Sequence, residues 1–246
     1  MRKRSIRVYI LLIVILTISS VITVFLPQSD ILTIQQELPA SKGVVALVNA
    51  LIMILLYGSL GYIGLRLSIK LGFARLWDNK VNNKERFLYP AIYGILAGFL
   101  LIIFDKLFSL LFSLKPLVHP PFPTSFFASL SAGIGEEIIF RLFFIPFWLW
   151  LVSIIILKDK YKETIFWIVT TFSAILFAAA HLPSVMILQG AEHISDVSIY
   201  LIIEIFLLNS FISFPAAYYF RKYGILAAIG IHFWADIIWH VIYGIF

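Results

Sequence analysis

Long apolar runs, each about as long as a bilayer is thick, alternate with short polar clusters along the whole chain. A spanning helix needs about 20 mostly apolar residues. Seven segments qualify: Ile6–Leu26, Gly43–Leu65, Leu88–Leu114, Ser125–Leu157, Ile165–Leu182, Val197–Phe220 and Gly224–Phe246. The fourth is longer than a crossing requires. Pro146 within it either kinks it or splits off a helix lying along the membrane surface, so seven or eight spans are expected. The pattern predicts an all-α, polytopic transmembrane bundle.

Charge placement orients the bundle. With the N-terminus on the cytoplasmic side, the inner segments hold Arg2, Lys3, Arg4, Arg7, Arg66, Lys70, Arg75, Lys80, Lys84, Arg86, Lys158, Lys160, Lys162, Arg221 and Lys222. Only Lys42 and Lys115 fall outside, and Lys106 and Arg141 lie within spans. That is a strong positive-inside bias, so the net charge of +6 reads as topology and not as a nucleic-acid footprint. The expected location is a cell membrane of bacterial type, with the bilayer as partner and no nucleic acid.

Composition narrows the classes further. The 246 residues are 61% hydrophobic and 13% charged, where soluble domains carry roughly 25% charged residues. A soluble fold of this chain could not cover its surface with polar groups. The absence of cysteine removes disulfides, zinc-thiolate sites and thiol nucleophiles. The first span has too long an apolar run and no small-residue cleavage site, so it reads as a retained anchor. Residues 1–121 hold about three spans without a specific motif, and residues 122–246 hold the chemistry. The two parts are expected to form one structural domain. Gly58, Gly61 and Gly64, with Gly94 and Gly98, form small-residue stripes that let helices approach closely.

Ionisable side chains inside a span cost several kcal/mol each and are functional candidates. They cluster in three places: Glu136, Glu137 and Arg141 in the fourth span, His181 at the end of the fifth, and His232, Asp236 and His240 in the seventh. Glu204 and Asn209 in the sixth are secondary candidates, as is His240. Glu137 and Arg141 are four apart and can pair on one helix face. Glu136 sits about 100° round and needs a partner elsewhere. A buried Glu-Glu-Arg network that only fixes packing would use the same residues.

Phe177-Ala178-Ala179-Ala180-His181 ends its helix before Pro183, its alanines leaving room for a second backbone or a substrate. His232 and Asp236 lie one turn apart, and His240 extends their stripe. Brought together, these groups supply two carboxylates and two imidazoles in a pocket. Glu136 with His181 could take a proton from water as it attacks a carbonyl. His232 and Asp236, if one or both are protonated, could face the developing oxyanion. The outcome is hydrolysis of a peptide bond within the membrane. The same four residues, Glu136, His181, His232 and Asp236, could instead hold a divalent metal such as zinc. There is no His-Glu-x-x-His helix and no Gly-x-Ser-x-Gly turn. Gly133-Ile134-Gly135-Glu136 echoes the membrane aspartyl proteases only superficially.

The order of these motifs resembles the CPBP family, which holds the CAAX prenyl-protein proteases and bacteriocin-processing or immunity proteins. The motifs are Glu136-Glu137-Ile138-Ile139-Phe140-Arg141, Phe177 to His181, and His232 to Asp236, with Tyr218–Gly224 similar to the usual lead-in. The resemblance covers roughly Phe122 to the C-terminus. It implies that Glu136 activates water with His181, that His232 and Asp236 form the oxyanion side, and that Glu137 and Arg141 support them. It implies as substrate a peptide or membrane protein, such as a prenylated protein or a bacteriocin precursor. Both metal-dependent and metal-free, glutamate-dependent activity have been described in the family, and the metal-free form is favoured here. The prenyl-protein proteases carry Asn where this chain has Asp236, which weakens transfer of the prenylated substrate more than transfer of the chemistry.

A count along the spans, at about 1.5 Å per residue, puts Glu136 roughly 16 Å below the outer edge and His232 about 12 Å from the inner one. His181 falls close to the outer surface by that count, so the motif and the span boundary disagree. Two rival functions remain: a non-catalytic immunity or partner-binding protein of the same family, and a small transporter relaying protons through Glu136, Glu204 and His232. The second lacks the internal repeat that many carriers show.

Overall fold

The computed structural model describes residues 3–28, 40–114 and 117–245. Arg2 and Lys115, two of the basic residues used for orientation, lie outside them. Among the described residues, seven helices are long and apolar enough to cross a membrane. They are α1 (Lys3–Phe25), α2 (Lys42–Lys70), α3 (Lys84–Phe112), α4 (Thr124–Ile156), α5 (Lys162–Gln189), α6 (Ile199–Tyr223) and α7 (Ile225–Ile245). No strand forms among the described residues. The outward faces are strongly apolar, with Leu110 81% and Ile156 62% exposed. Water would not tolerate such a surface at this scale; the chain is an integral, multi-pass membrane protein.

Contacts between connections define two faces of the bundle. At the N-terminal face, Ala74 donates to the Arg221 carbonyl, Lys162 Nζ to the Leu71 carbonyl, and Arg221 pairs with Glu163. Leu71, Phe73 and Leu76 of the α2–α3 connection are buried, and the Phe73 ring packs edge-on to Phe166 and Phe220. Gly224, between α6 and α7, has φ +91° and sits against the Arg75 carbonyl, a conformation and a clearance that suit only glycine. At the far face, Thr124 donates to the Pro27 carbonyl, Phe112 stacks on Tyr200, and Gly244 packs against His119.

The fourth span does not divide at Pro146. α4 runs unbroken, with wide π-type turns over Glu137–Phe144 and Trp150–Ile156 on either side of the short stretch that contains Pro146. Proline would clash with the carbonyl four residues back in a regular helix, and the wide turn before it relieves that contact. Ser173 of α5 donates to the Phe140 carbonyl within this turn.

The fifth span also differs from its sequence boundary. It turns at Ala180 and His181 and continues as helix from Leu182 to Gln189, with Pro183 in its first turn. Proline lacks only a hydrogen that is unpaired at that position anyway. It therefore marks a restart and not an end.

Four of the five stripe glycines sit at close approaches. A Cβ on Gly64 would run into the Leu142 backbone, and one on Gly61 into the Tyr9 hydroxyl. Gly94 and Gly98 bring α3 onto the α7 backbone at Ile231 and Ala235. Gly58 meets only Met53 of its own helix, so close approach does not require glycine there. The main core joins Tyr9, Leu12 and Leu16 of α1 to Ile134, Ile138 and Leu142 of α4, and to Ala216, Phe220 and Ala228.

Candidate active site

The wide turn of α4 begins at Glu137, directly after Glu136. Glu137 and Arg141 are both 0% exposed, and one Arg141 nitrogen lies 3.1 Å from Glu137 Oε1. The same oxygen accepts a 2.9 Å hydrogen bond from His232 Nδ1 of α7. Glu137 therefore holds two basic side chains, one from its own helix and one from another. Two buried charges are tolerated only when paired in this way.

Phe177 of α5 ties the groups together. Its ring takes the Arg141 guanidinium on its face at 4.3 Å and stands edge-on to His181 and His232 at 5.0 and 5.5 Å. Stacking on an aromatic face suits the guanidinium, which is weakly hydrated and planar. Phe177 is buried and positions all three neighbours.

His232 Nε2 points to the remaining carboxylates. Asp236 Oδ2 is 3.6 Å away and Glu136 Oε2 is 3.8 Å away. Glu136 is 32% exposed, yet its Oε2 is buried and has no hydrogen-bond partner among the described residues. His181 Nδ1 donates to the Phe177 carbonyl at 2.8 Å. A neutral imidazole bonded this way has its Nε2 lone pair free. No hydrogen bond or ion pair joins His181 to Glu136, but both line one cavity of about 390 Å³ together with His232 and Asp236.

The continued α5 accounts for the discrepancy in depth. His181 lies eight residues before Gln189, roughly 12 Å below the far end of its helix at 1.5 Å per residue, while Glu136 lies roughly 18 Å below the start of α4. The cavity extends from one level to the other. His240, Glu204 and Asn209 line it as well. Asn209 Nδ2 donates to the Ile205 carbonyl of its own helix. His240 Nδ1 lies 3.1 Å from His119 Nδ1, and burial holds His119 down at about 4.

Two further polar residues, His119 on the cavity wall and Asp105 outside it, were not legible as candidates. His119 sits in a proline-rich connection, where nothing in its neighbours marks it. Asp105 is buried in α3 as an acidic neighbour of Glu204. The adjacent Lys106 disguises it as a self-neutralised pair, although neighbouring residues on a helix do not face each other.

Residues 118–238 match the family model described as type II CAAX prenyl endopeptidase Rce1-like. The match takes in just under half of the chain and shows an Rce1-like domain over those residues. The family is one of proteases acting on peptides or proteins in membranes, so the Rce1-like domain is that of a membrane-embedded peptidase. No curated protein and no solved structure gives a significant match to the chain. The Rce1-like segment contains Glu136, Glu137, Arg141, Phe177, His181, Glu204, Asn209, His232 and Asp236; Asp105 and His240 fall outside it.

Proposed function

We propose that the chain is an intramembrane endopeptidase in which Glu136, assisted by His181, activates a water molecule for attack on a peptide carbonyl. The observation that carries this reading is the buried, unpartnered Oε2 of Glu136 in a cavity shared with His181, His232 and Asp236. A carboxylate held there takes a proton from water as the oxygen adds to the carbonyl carbon. With both ring nitrogens protonated, His232 keeps Nδ1–H on Glu137 and presents Nε2–H to the developing oxyanion. Asp236 joins it as a donor when it carries a proton. As the tetrahedral species collapses, the carbon–nitrogen bond breaks and the proton held by Glu136 passes to the leaving amine. Glu137, Arg141 and Phe177 act through His232 and are positioning residues.

This reading routes no step through a metal. A divalent ion needs three or more donors converging at about 2.0–2.2 Å, and among the described residues no three His, Asp or Glu side chains are gathered in that way. The substrate is a membrane-associated peptide or protein; a prenylated C-terminus follows from the family and a bacteriocin precursor is the other source considered.

The test is cleavage of a peptide library by the purified chain in liposomes. Glu136→Gln is expected to lower turnover by about 100-fold or more with thermal unfolding unchanged, and chelator to leave wild-type turnover intact. Wild-type rates in Glu136→Gln would end the glutamate reading. Loss on chelation with recovery on adding zinc would replace it with a metal site.

A further inference from the structure

The cavity has a second polar layer nearer the far face. Glu204 lies five residues from the start of α6 and Asp105 seven from the end of α3, roughly 8–10 Å below that face at 1.5 Å per residue. Glu136 is roughly 8–10 Å deeper by the same measure. Glu204 is 1% exposed, lines the cavity, and has an Oε1 with no hydrogen-bond partner among the described residues. Its acidic neighbour Asp105, on α3, is 4% exposed.

Two carboxyls buried near each other cannot both ionise without a counter-charge. The nearest cation on the same helix, Lys106, has its ammonium over the Tyr243 ring at 5.2 Å, and Lys106 is an exposed residue. His119 and His240 occupy this layer too and are paired with each other. Nothing among the described residues satisfies Glu204 Oε1. An unsatisfied buried acceptor is costly, and an acidic one facing a cavity is matched by a cation.

We propose that Glu204, backed by Asp105, recognises a Lys or Arg side chain of the substrate two to three residues from the bond that is cut. The inference rests on the endopeptidase reading above. The spacing follows from an extended chain, which rises about 3.3 Å per residue, over the interval between Glu204 and Glu136. The arriving cation supplies the counter-charge that the two carboxyls lack.

The experiment uses the full chain in liposomes and peptides identical except for Lys, norleucine or Glu at two or at three residues from the cut. Wild type is expected to favour Lys over norleucine by about tenfold or more in kcat/KM, with Glu poorest. Glu204→Gln is expected to bring the Lys-to-norleucine ratio to within about twofold of unity, and Asp105→Asn to lower it. The ratio is internal to each variant, so a change in overall turnover does not enter it, and Asp105→Asn serves if Glu204→Gln does not fold. Equal use of Lys and norleucine by wild type, or an undiminished preference in the variants, overturns the proposal, including when Glu204→Gln alters only thermal unfolding. If wild type cuts none of the peptides, their binding decides. Lys-selective binding lost in Glu204→Gln upholds the cation site while the endopeptidase reading falls; unselective or absent binding overturns the site.

Discussion

The Glu137 carboxylate carries more of the site than any other single group, although it is sealed from the cavity. Arg141 and His232 both rest on its Oε1. Removing one partner of a buried ion pair leaves an uncompensated charge at a cost of about 3–5 kcal/mol. Arg141→Met is accordingly expected to destabilise the protein by about that amount, read by thermal unfolding in detergent. The double variant Glu137→Gln/Arg141→Met is expected to recover much of the loss; a single variant as stable as wild type would count against the pairing. The spacing of Glu137 and Arg141 was legible because helical geometry alone places residues four apart on one face. The bond from Glu137 to His232 joins positions 95 apart and follows only from packing, which no local pattern encodes.

Helix contacts were legible where small residues recur and obscured where proline intervenes. Gly64 lets α2 lie against the Leu142 backbone of α4, next to the wide turn that bears Glu137 and Arg141. Gly64→Ala is therefore expected to cost about 1–3 kcal/mol through overpacking, again by thermal unfolding. Gly43→Ala, where an added Cβ meets nothing within 4 Å, is expected to stay within about 0.5 kcal/mol. Equal effects at the two positions would show that the α2–α4 approach is not tight. Proline misled one boundary and left one span open. Pro183 looked like a stop, while Pro146 allowed either a kink or a split within a span read as Ser125–Leu157. The missing N–H and the ring of proline disrupt a regular helix. A restarted first turn and a wide turn absorb them, and neither device has a signature in a single sequence.

Across the whole molecule, apolar run lengths specified seven or eight spans, and seven form among the described residues. What they could not specify is that the first span would enter the core of the last four. Tyr9, Leu12 and Leu16 pack into the same cluster as Ile138 and Ala228, so the motif-free half helps to build the Rce1-like half. Orientation is the remaining large-scale expectation, and the cysteine-free chain makes it easy to measure. A single cysteine at Lys160, exposed at the N-terminal face, is expected to resist a membrane-impermeant thiol reagent applied to intact cells. One at Ser195, exposed at the far face, is expected to react, and the reverse pattern would invert the topology. The bond between α4 and α7 also bears on how the protein is made. Because Glu137 and Arg141 share a helix, α4 meets the translocation machinery with those charges already cancelled, whereas the imidazole of His232 arrives later, with α7. Until α7 is inserted, the pocket lacks one wall.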